Sequence, residues 1–237
     1  MEQIISNYTE TDQWVWNTLF SRQVTNLEKF GSLSYLNCLT GMNDVLNDSS
    51  IPDFSKVSRW FQSNTGWQIE VVPGLIPVED FFQLLSQKKF CSSTWLRSPE
   101  SLDYLEEPDM FHDIFGHIPL LSHPVFSKFI YEFGKLGVKY TGNPEAVEAL
   151  RRLYWFTIEF GLIKETEIKV YGAGIISSYG ETQTSVSTMV KHSEFDIHEI
   201  LNKPFRTDVM QEEYFVVKNF DDLFNSLKTF EEIFENK

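Results

Sequence analysis

The chain has 237 residues, of which 42% are hydrophobic and 15% aromatic, and a chain of this length can bury a sizeable core. Extensive disorder is excluded, because this many apolar side chains can offset the entropy that is lost on folding. The formal net charge of −14 repels phosphate groups, so we expect neither a nucleic acid nor an anionic membrane surface as a partner.

The cysteines and the N-terminal stretch indicate the compartment. Cys38 and Cys91 have no paired spacing, which argues against a disulfide framework and favours a reducing environment. The stretch MEQIISNYTETDQW has no basic segment followed by an apolar one, so it does not predict a signal peptide. No uncharged apolar run approaches the roughly 20 residues of a membrane span. We therefore expect a cytoplasmic protein.

Three helices are predicted at the start of the chain. The first covers 9–30, where Thr9 can act as the N-cap and Asp12 follows three places later, as in a capping box. Shorter helices are predicted over 32–46 and 54–64, each followed by polar turn residues. The mostly apolar face of the first helix consists of Trp16, Leu19, Phe20, Gln23, Leu27 and Phe30.

The pattern then changes to alternation. WQIEVV, at 67–72, predicts a short strand that stops at a Pro-Gly turn. Helical spacing returns over 78–90, and CSSTWLRSP predicts an extended piece that ends near Arg97. The stretch PDMFHDIFGHIPLL predicts a helix with Pro108 in its first turn and acidic residues, Glu106 among them, at its positive end.

The second half of the chain is predicted to be mainly helical as well. Helices are predicted over 124–138 and 145–164, and EYFVVKNF predicts a strand. The glycine-rich KVYGAGIISSYGET predicts a loop or a strand where backbones approach closely. An amphipathic helix is predicted over 220–234, and its apolar face favours packing on the same domain over binding a partner. The sum is a mainly α protein with a few short β-strands, in the α+β class.

Two histidines stand inside the apolar helical pattern of PDMFHDIFGHIPLL. His112 and His117 are five residues apart, a separation that turns side chains roughly 140° apart on an unbroken α-helix. Gly116 and Pro119 permit a bend, so that the helix finishes near Gly116. The interpretation as a metal site requires such a bend, whereas two ordinary core histidines would not.

A third ligand is predicted at Glu159, which lies in YWFTIEFG among apolar neighbours. A buried carboxylate is costly without a partner, and a divalent cation would remove that cost. Two neutral imidazoles and one carboxylate form the facial triad of non-haem Fe(II) enzymes. Zinc, as in a hydrolase with two histidines and one glutamate, is the competing choice.

Three separate blocks carry a resemblance to a known family. EEPDMFHDIFGHIPLL, RLYWFTIEFGLI and VYGAGIISSYGE, in this order, resemble the signature blocks of the pterin-dependent aromatic amino acid hydroxylases. YTETDQWVWNTLFSRQ, TGWQIEVVPGLIP and LDYLEEPD are similar to the compact bacterial phenylalanine hydroxylases, and the similarity extends from Tyr8 to Phe230. The resemblance implies one catalytic domain over 1–237 that uses non-haem Fe(II), a tetrahydropterin such as tetrahydrobiopterin, and O₂ to hydroxylate an aromatic amino acid.

The resemblance assigns the metal ligands and the residues behind them. His112, His117 and Glu159 match the iron ligands of the family. Asp109 and Ser177 match positions that steady the first histidine, because a ligating imidazole usually donates its other N–H to such a group. For Asp109, a favourable charge at the N-terminus of a helix is an equal alternative.

The substrate-binding positions follow from the same resemblance. Arg97 matches the arginine that pairs with the carboxylate of the amino acid, and a guanidinium can bind a carboxylate through two parallel hydrogen bonds. Pro108 and Trp155 resemble residues that line the pocket of the aromatic ring. Ser177 and Thr207 complete the implied substrate side.

The pterin-binding positions are implied mainly by VPGLIPVEDFF. Phe81 matches the ring that stacks on the pterin, and Glu181 matches an acid near both pterin and substrate, a catalytic position together with Ser177. The other implied pterin-binding residues are Gly74, Leu75, Ile76, Asp113 and Tyr154.

The choice of substrate and the oligomeric state follow less directly. Trp155 favours Phe or Tyr over Trp as the substrate, whereas the hydroxyl of Thr207 would loosen specificity, since an apolar pocket discriminates only modestly among similar rings. We expect L-Phe to be converted to L-Tyr, with hydroxylation of Tyr or Trp or broad specificity as the alternative. A pterin-binding or amino-acid-binding protein without activity is the alternative from another class.

Without the regulatory domain and tetramerisation helix of the eukaryotic relatives, we expect a monomer.

Overall fold

Helices form most of this computed structural model, which describes residues 1–103, 105 and 107–235. The α-helices are α1 (Glu10–Phe30), α2 (Leu33–Gly41), α3 (Phe54–Gln62), α4 (Val78–Leu85), α5 (Pro124–Tyr140), α6 (Pro144–Leu153), α7 (Ala173–Ile176), α8 (Tyr179–Thr184), α9 (Ile197–Ile200) and α10 (Phe220–Glu235). The π-helices are π1 (His112–His117) and π2 (Tyr154–Glu159). Short 3₁₀ turns occur at Ile5–Asn7, Pro99–Ser101 and Pro119–Ser122. The predicted mainly α class is confirmed, while Glu106 lies outside the described residues.

Six short strands form two sheets. The strands are β1 (Gln68–Val71), β2 (Lys89–Ser92), β3 (Leu162–Lys164), β4 (Ile168–Val170), β5 (Lys191–Glu194) and β6 (Glu213–Val217). Strands β1 and β2 pair in parallel, and the second sheet has the order β4-β3-β6-β5. In that sheet β3 and β4 are antiparallel, while β6 runs parallel to both β3 and β5. Strand β6 also packs against π2, so the sheet supports the element that carries Glu159.

The first helix begins where its capping box predicts. The side chain of Thr9 accepts a hydrogen bond from the backbone N–H of Asp12, and the Asp12 carboxylate accepts one from the backbone N–H of Thr9. The helix ends at Gly31, whose N–H donates to the carbonyl of Leu27. Both ends are therefore fixed by local chemistry, as expected for a sequence signal of this kind.

Four predicted elements differ from the structure. The helix predicted over 32–46 ends at Gly41. The helix predicted over 78–90 ends at Leu85, because Lys88 adopts a φ of 56° and turns the chain into β2. The helix predicted over 145–164 ends at Glu159, and the residues after it pair as β3. The glycine-rich stretch forms β4, α7 and α8 rather than a loop or a single strand. For the helices predicted over 78–90 and 145–164, the strand pairing of the residues that follow overrides a local helical preference.

The last helix packs on the body of the domain, as its apolar face predicts. Phe230 is fully buried and contacts Tyr140 at the end of α5, with ring centroids 5.6 Å apart. Phe234 contacts the same tyrosine at 6.1 Å. None of the helices in the described part of the chain has the length and apolar character needed to cross a bilayer.

Candidate active site

The two histidines lie on a π-helix. This geometry places side chains five residues apart on one face, which the sequence did not predict. A π-helix closes i→i+5 hydrogen bonds, so residues five apart lie one turn from each other on the same face. The Nε2 atoms of His112 and His117 are 3.2 Å apart. The helix ends at His117, next to the expected end near Gly116, but π-helical turns rather than a bend align the two histidines.

Gly116 serves a different purpose from the predicted bend. A Cβ atom at this position would lie 2.9 Å from the carbonyl oxygen of Ala173 in α7, closer than real Cβ contacts. The missing side chain therefore lets α7 pack directly on π1. This approach brings Ser177, the residue after α7, within reach of His112.

Glu159 closes the site from the end of the second π-helix. Its Oε1 lies 3.1 Å from Nε2 of His117, and its Oε2 lies 3.6 Å from Nε2 of His112. One donor atom from each of the three residues lies within 4.8 Å of the others. Metal bonds of about 2.1 Å at right angles would separate such atoms by about 3.0 Å. The three side chains therefore fit one face of a single cation.

The electrostatics of the site also match the requirements of a cation. Burial lowers the pKa of His112 to about 4, although the Glu159 carboxylate opposes this shift. Burial would raise the pKa of Glu159, but the neighbouring His117 and His112 outweigh it and lower the pKa to about 2. Near neutral pH His112 is thus neutral and Glu159 is ionised, which are the forms that bind a metal.

Ser177 fixes which nitrogen of His112 faces the site. Its hydroxyl donates to the carbonyl of Ala173 at 2.9 Å, and its oxygen lies 2.9 Å from Nδ1 of His112. Because the hydroxyl hydrogen is used, the Ser177 oxygen accepts from Nδ1–H, and Nε2 keeps its lone pair for a ligand. Asp109 contacts His112 differently, by accepting its backbone N–H at 3.0 Å.

Replacing Ser177 by alanine is expected to weaken metal binding roughly 10- to 100-fold. The physical reason is that His112 then loses the acceptor that holds its ring and its tautomer. The measurement is the dissociation constant for Fe(II) under anaerobic conditions. Ser187→Ala is the matched control, since this hydroxyl donates only locally to the Thr184 carbonyl. Equal affinities for the Ser177 and Ser187 variants would contradict the role of Ser177.

Close backbone approach, predicted for the glycine-rich stretch, is found next to Glu159. A Cβ atom on Gly172 would overlap the carbonyl oxygen of Glu159 and lie 2.5 Å from the nitrogen of Gly161. Both atoms belong to the backbone, so neither can move aside as a flexible side chain could. Gly172 therefore allows the chain after β4 to pass directly behind Glu159, the third candidate ligand.

Gly172→Ala is expected to lower the free energy of unfolding by about 1–3 kcal/mol, because the extra methyl overpacks the site. It should also weaken Fe(II) binding roughly 10-fold by displacing Glu159. Urea denaturation and anaerobic metal titration measure the two effects. Gly142→Ala is the control, because a Cβ atom there meets nothing within 4 Å. The same response from both variants would show that Gly172 has no special relation to Glu159.

A cavity of about 380 Å³ opens above the three candidate ligands, a size typical of small-molecule sites. Its lining is mostly apolar and aromatic. The predicted residues that line it are Gly74, Leu75, Ile76, Phe81, Pro108, His112, Asp113, His117, Tyr154, Trp155, Glu159 and Thr207. Burial raises the pKa of Asp113 to about 7, while the backbone N–H of Ser93 donates to its carboxylate.

Four predicted site residues do not line this cavity. Ser177 and Asp109 lie behind His112, as described above. Arg97 is buried, and its guanidinium donates two hydrogen bonds of 2.9 Å to the Asp109 carboxylate. Glu181 is 8% exposed, accepts a hydrogen bond of 2.7 Å from the hydroxyl of Tyr214, and has a pKa that burial raises.

Further lining residues were not predicted: Val72, Val78, Phe82, Phe90, Cys91, Ser93, Arg151 and Phe205. Phe90 covers His117, with ring centroids 4.7 Å apart. Cys91 follows it on β2, and burial raises the pKa of its thiol to about 12. KFCS shows no polar–apolar alternation in the sequence, so it gave no local signal for these two residues. No local sequence pattern predicted Arg151 as a lining residue, because only the packing of α6 brings it to the cavity.

Comparison with known proteins gives a consistent result. A family model described as biopterin-dependent aromatic amino acid hydroxylase matches residues 2–237. A phenylalanine-4-hydroxylase of Pseudomonas aeruginosa is 43% identical over 219 residues, which cover 92% of this chain and 82% of the relative.

Two solved structures of the phenylalanine hydroxylase from Chromobacterium violaceum are similar as well. One, which contains iron(III) and 7,8-dihydrobiopterin, has a TM-score of 0.92 and 38% identity, and the match covers 100% of this chain and 86% of that one. The other contains iron and phenylalanine, with a TM-score of 0.89, 38% identity and coverage of 95% and 82%.

Proposed function

The chain belongs to the biopterin-dependent aromatic amino acid hydroxylases, and from this premise we propose that it hydroxylates L-Phe to L-Tyr with Fe(II), a tetrahydropterin and O₂. The observation that carries the proposal is the facial set of His112, His117 and Glu159 under an aromatic cavity. Similarity to phenylalanine hydroxylases over most of the chain supports phenylalanine as the substrate.

We propose that the three side chains hold iron and that the rest of the chain prepares them. Ser177 keeps Nε2 of His112 free of a proton, and Asp109 holds the backbone of the same residue. Bound iron and tetrahydropterin together supply the activation of O₂, which no amino acid side chain can perform. The apolar lining excludes water and so protects this chemistry from side reactions.

The substrate side of the cavity is proposed at Pro108, Trp155 and Thr207. Trp155 stacks on Phe205 with ring centroids 4.8 Å apart, which builds a flat aromatic wall suited to another ring. Arg97 is proposed to receive the carboxylate of the amino acid. Its Nε and Nη2 already bind Asp109, so the remaining N–H groups would make this contact.

The pterin side is proposed at Phe81 and Tyr154. Phe81 contacts Tyr154 edge to face, with ring centroids 5.3 Å apart, and a flat bicyclic ring can stack on such a surface. The turn formed by Gly74, Leu75 and Ile76 lines the same cavity and can offer backbone hydrogen bonds. Asp113 completes this wall, at the position next to His112.

Product analysis with each aromatic amino acid tests the proposed function. The protein is loaded with Fe(II), supplied with a tetrahydropterin and air, and given L-Phe, L-Tyr or L-Trp in turn. We expect the highest rate with L-Phe and tyrosine as its product. Absence of a hydroxylated product with all three amino acids would overturn the assignment, and a preference for L-Tyr or L-Trp would correct the substrate.

We also propose a cytoplasmic monomer that consists of one catalytic domain. The two cysteines, Cys38 and Cys91, are both free thiols, which suits a reducing compartment. The apolar face of α10 is occupied by α5 of the same chain, so it is not available for a coiled coil between subunits. Light scattering coupled to size-exclusion chromatography should give the mass of one chain, and a stable tetramer would contradict the proposal.

A further inference from the structure

One wall of the cavity is built by a segment without regular secondary structure. The 205–211 segment lies in the connection between α9 and β6, and it contributes Phe205 and Thr207 to the lining. Its middle is exposed to solvent from Arg206 to Met210. A segment of this kind has little packing of its own to fix it, so its position over the cavity requires specific contacts.

Gln211 provides these contacts through its side-chain amide. The Nε2 atom donates to the carbonyls of Arg206 and Val209, at 3.1 Å each. The Oε1 atom accepts a hydrogen bond of 3.2 Å from the indole N–H of Trp155. The reversed amide would set oxygen against two carbonyls and an NH₂ group against the indole N–H, so its orientation follows from its surroundings.

The same residue joins the segment to the protein interior. Its backbone N–H lies 3.5 Å from Oε1 of Glu181, which also accepts the hydroxyl of Tyr214 at 2.7 Å. Tyr214 is fully buried in β6. Gln211 therefore ties the exposed segment to the aromatic wall on one side and to a buried carboxylate on the other.

We propose that Gln211 is a positioning residue for the substrate wall, which fixes Phe205 and Thr207 against Trp155 and thereby sets the selectivity among aromatic rings. The proposal rests on the proposed function, because Trp155 and Thr207 are placed there on the substrate side. Glu181 contributes to this positioning, because its buried carboxylate accepts a hydrogen bond from the backbone N–H of Gln211. It does not line the cavity.

Two substitutions distinguish the hydrogen bonds that the Gln211 side chain donates from the one that it accepts. Gln211→Glu keeps the shape and the acceptor for Trp155, but it has no N–H for the two carbonyls. Gln211→Leu removes all three bonds at similar volume. Met210→Leu is the matched control, because Met210 is a neighbouring side chain that is 50% exposed and lies outside this hydrogen-bond network.

The first measurement is the rate at which trypsin cleaves after the exposed Arg206 in the full-length, iron-loaded protein. Proteolysis requires the segment to open locally. Loss of two hydrogen bonds should accelerate cleavage at this site about tenfold in both Gln211 variants, with cleavage at other sites and the melting temperature unchanged. The control should match the wild type. Wild-type cleavage rates in the Gln211 variants would overturn the proposal.

The second measurement is the ratio of kcat/KM for L-Phe to that for L-Trp, which a merely structural role would not change. We expect the ratio to fall at least about threefold in both Gln211 variants, because a looser wall admits a larger ring. An effect in Gln211→Leu without one in Gln211→Glu would assign the role to the Trp155 contact and overturn the proposal. A wild type without turnover would overturn the proposed function instead, while the cleavage rates would still decide whether Gln211 fixes the segment.

Discussion

Replacement of Glu159 by alanine is expected to lower Fe(II) affinity and iron-dependent turnover by more than about 100-fold. Loss of a residue that only hydrogen-bonds a ligand weakens metal binding by about 10- to 100-fold, and loss of a proposed ligand itself should weaken it more. Among the residues that the structure describes, Glu159 supplies the carboxylate that faces both histidine Nε2 atoms, at 3.1 and 3.6 Å. Without it, the two imidazoles remain to hold a doubly charged cation and no negative charge from the described residues faces it. The measurements are anaerobic iron titration and tyrosine formation at a fixed iron concentration.

The fold should survive this change, since the carboxylate faces the cavity. Circular dichroism and the urea midpoint check that expectation. Glu167→Ala is the control, because its side chain is 77% exposed and lies away from the site, so it should keep full activity. Retained turnover in Glu159→Ala would remove this residue from the set of ligands.

Arg97→Met is expected to lower the free energy of unfolding by about 3–5 kcal/mol, because it leaves the Asp109 carboxylate buried without its counter-charge. The side chains of Arg97 and Asp109 are 6% and 0% exposed, so water cannot take the place of the guanidinium. The same substitution should raise KM for L-Phe roughly 10- to 100-fold through loss of a charged hydrogen-bond donor. Urea denaturation and steady-state kinetics measure the two effects.

Two further variants distinguish a lost counter-charge from a simple loss of packing. Arg59→Met makes the same change at an exposed position and should leave stability unaltered. The double variant Arg97→Met/Asp109→Leu removes both charges and should recover a large part of the lost stability. A double variant as unstable as Arg97→Met alone would show that the uncompensated carboxylate is not the cause.

Local signals predicted the parts of the fold that local chemistry decides. The capping box at Thr9, the stop at Gly31 and the amphipathic pattern of the last helix each depend on residues within a few positions of one another. The two π-helices could not be predicted in this way. An α-helical wheel places His112 and His117 on different sides, whereas the wider turn of a π-helix aligns them. The element that packs against this turn at Gly116 is α7, which lies far along the chain.

The candidate site shows the same division. The residue types of the triad pointed to a cation, and the resemblance identified many, but not all, of the positions that line the cavity. Contacts between side chains far apart in the sequence could not be predicted. The sequence does not show that Arg97 forms an ion pair with Asp109. Nor does it show that Glu181 accepts hydrogen bonds from Tyr214 and Gln211 and does not line the cavity. Gln211 belongs to no motif, and its importance depends on carbonyl groups whose positions only the folded chain defines.

Tyrosine formation by the same preparation loaded with either Fe(II) or Zn(II) tests the assignment most directly. With a tetrahydropterin, O₂ and L-Phe present, we predict tyrosine with Fe(II) and none with Zn(II), because zinc cannot take part in redox chemistry. Absence of tyrosine in the Fe(II)-loaded protein, or equal formation with both metals, would contradict an iron-dependent hydroxylase built on His112, His117 and Glu159.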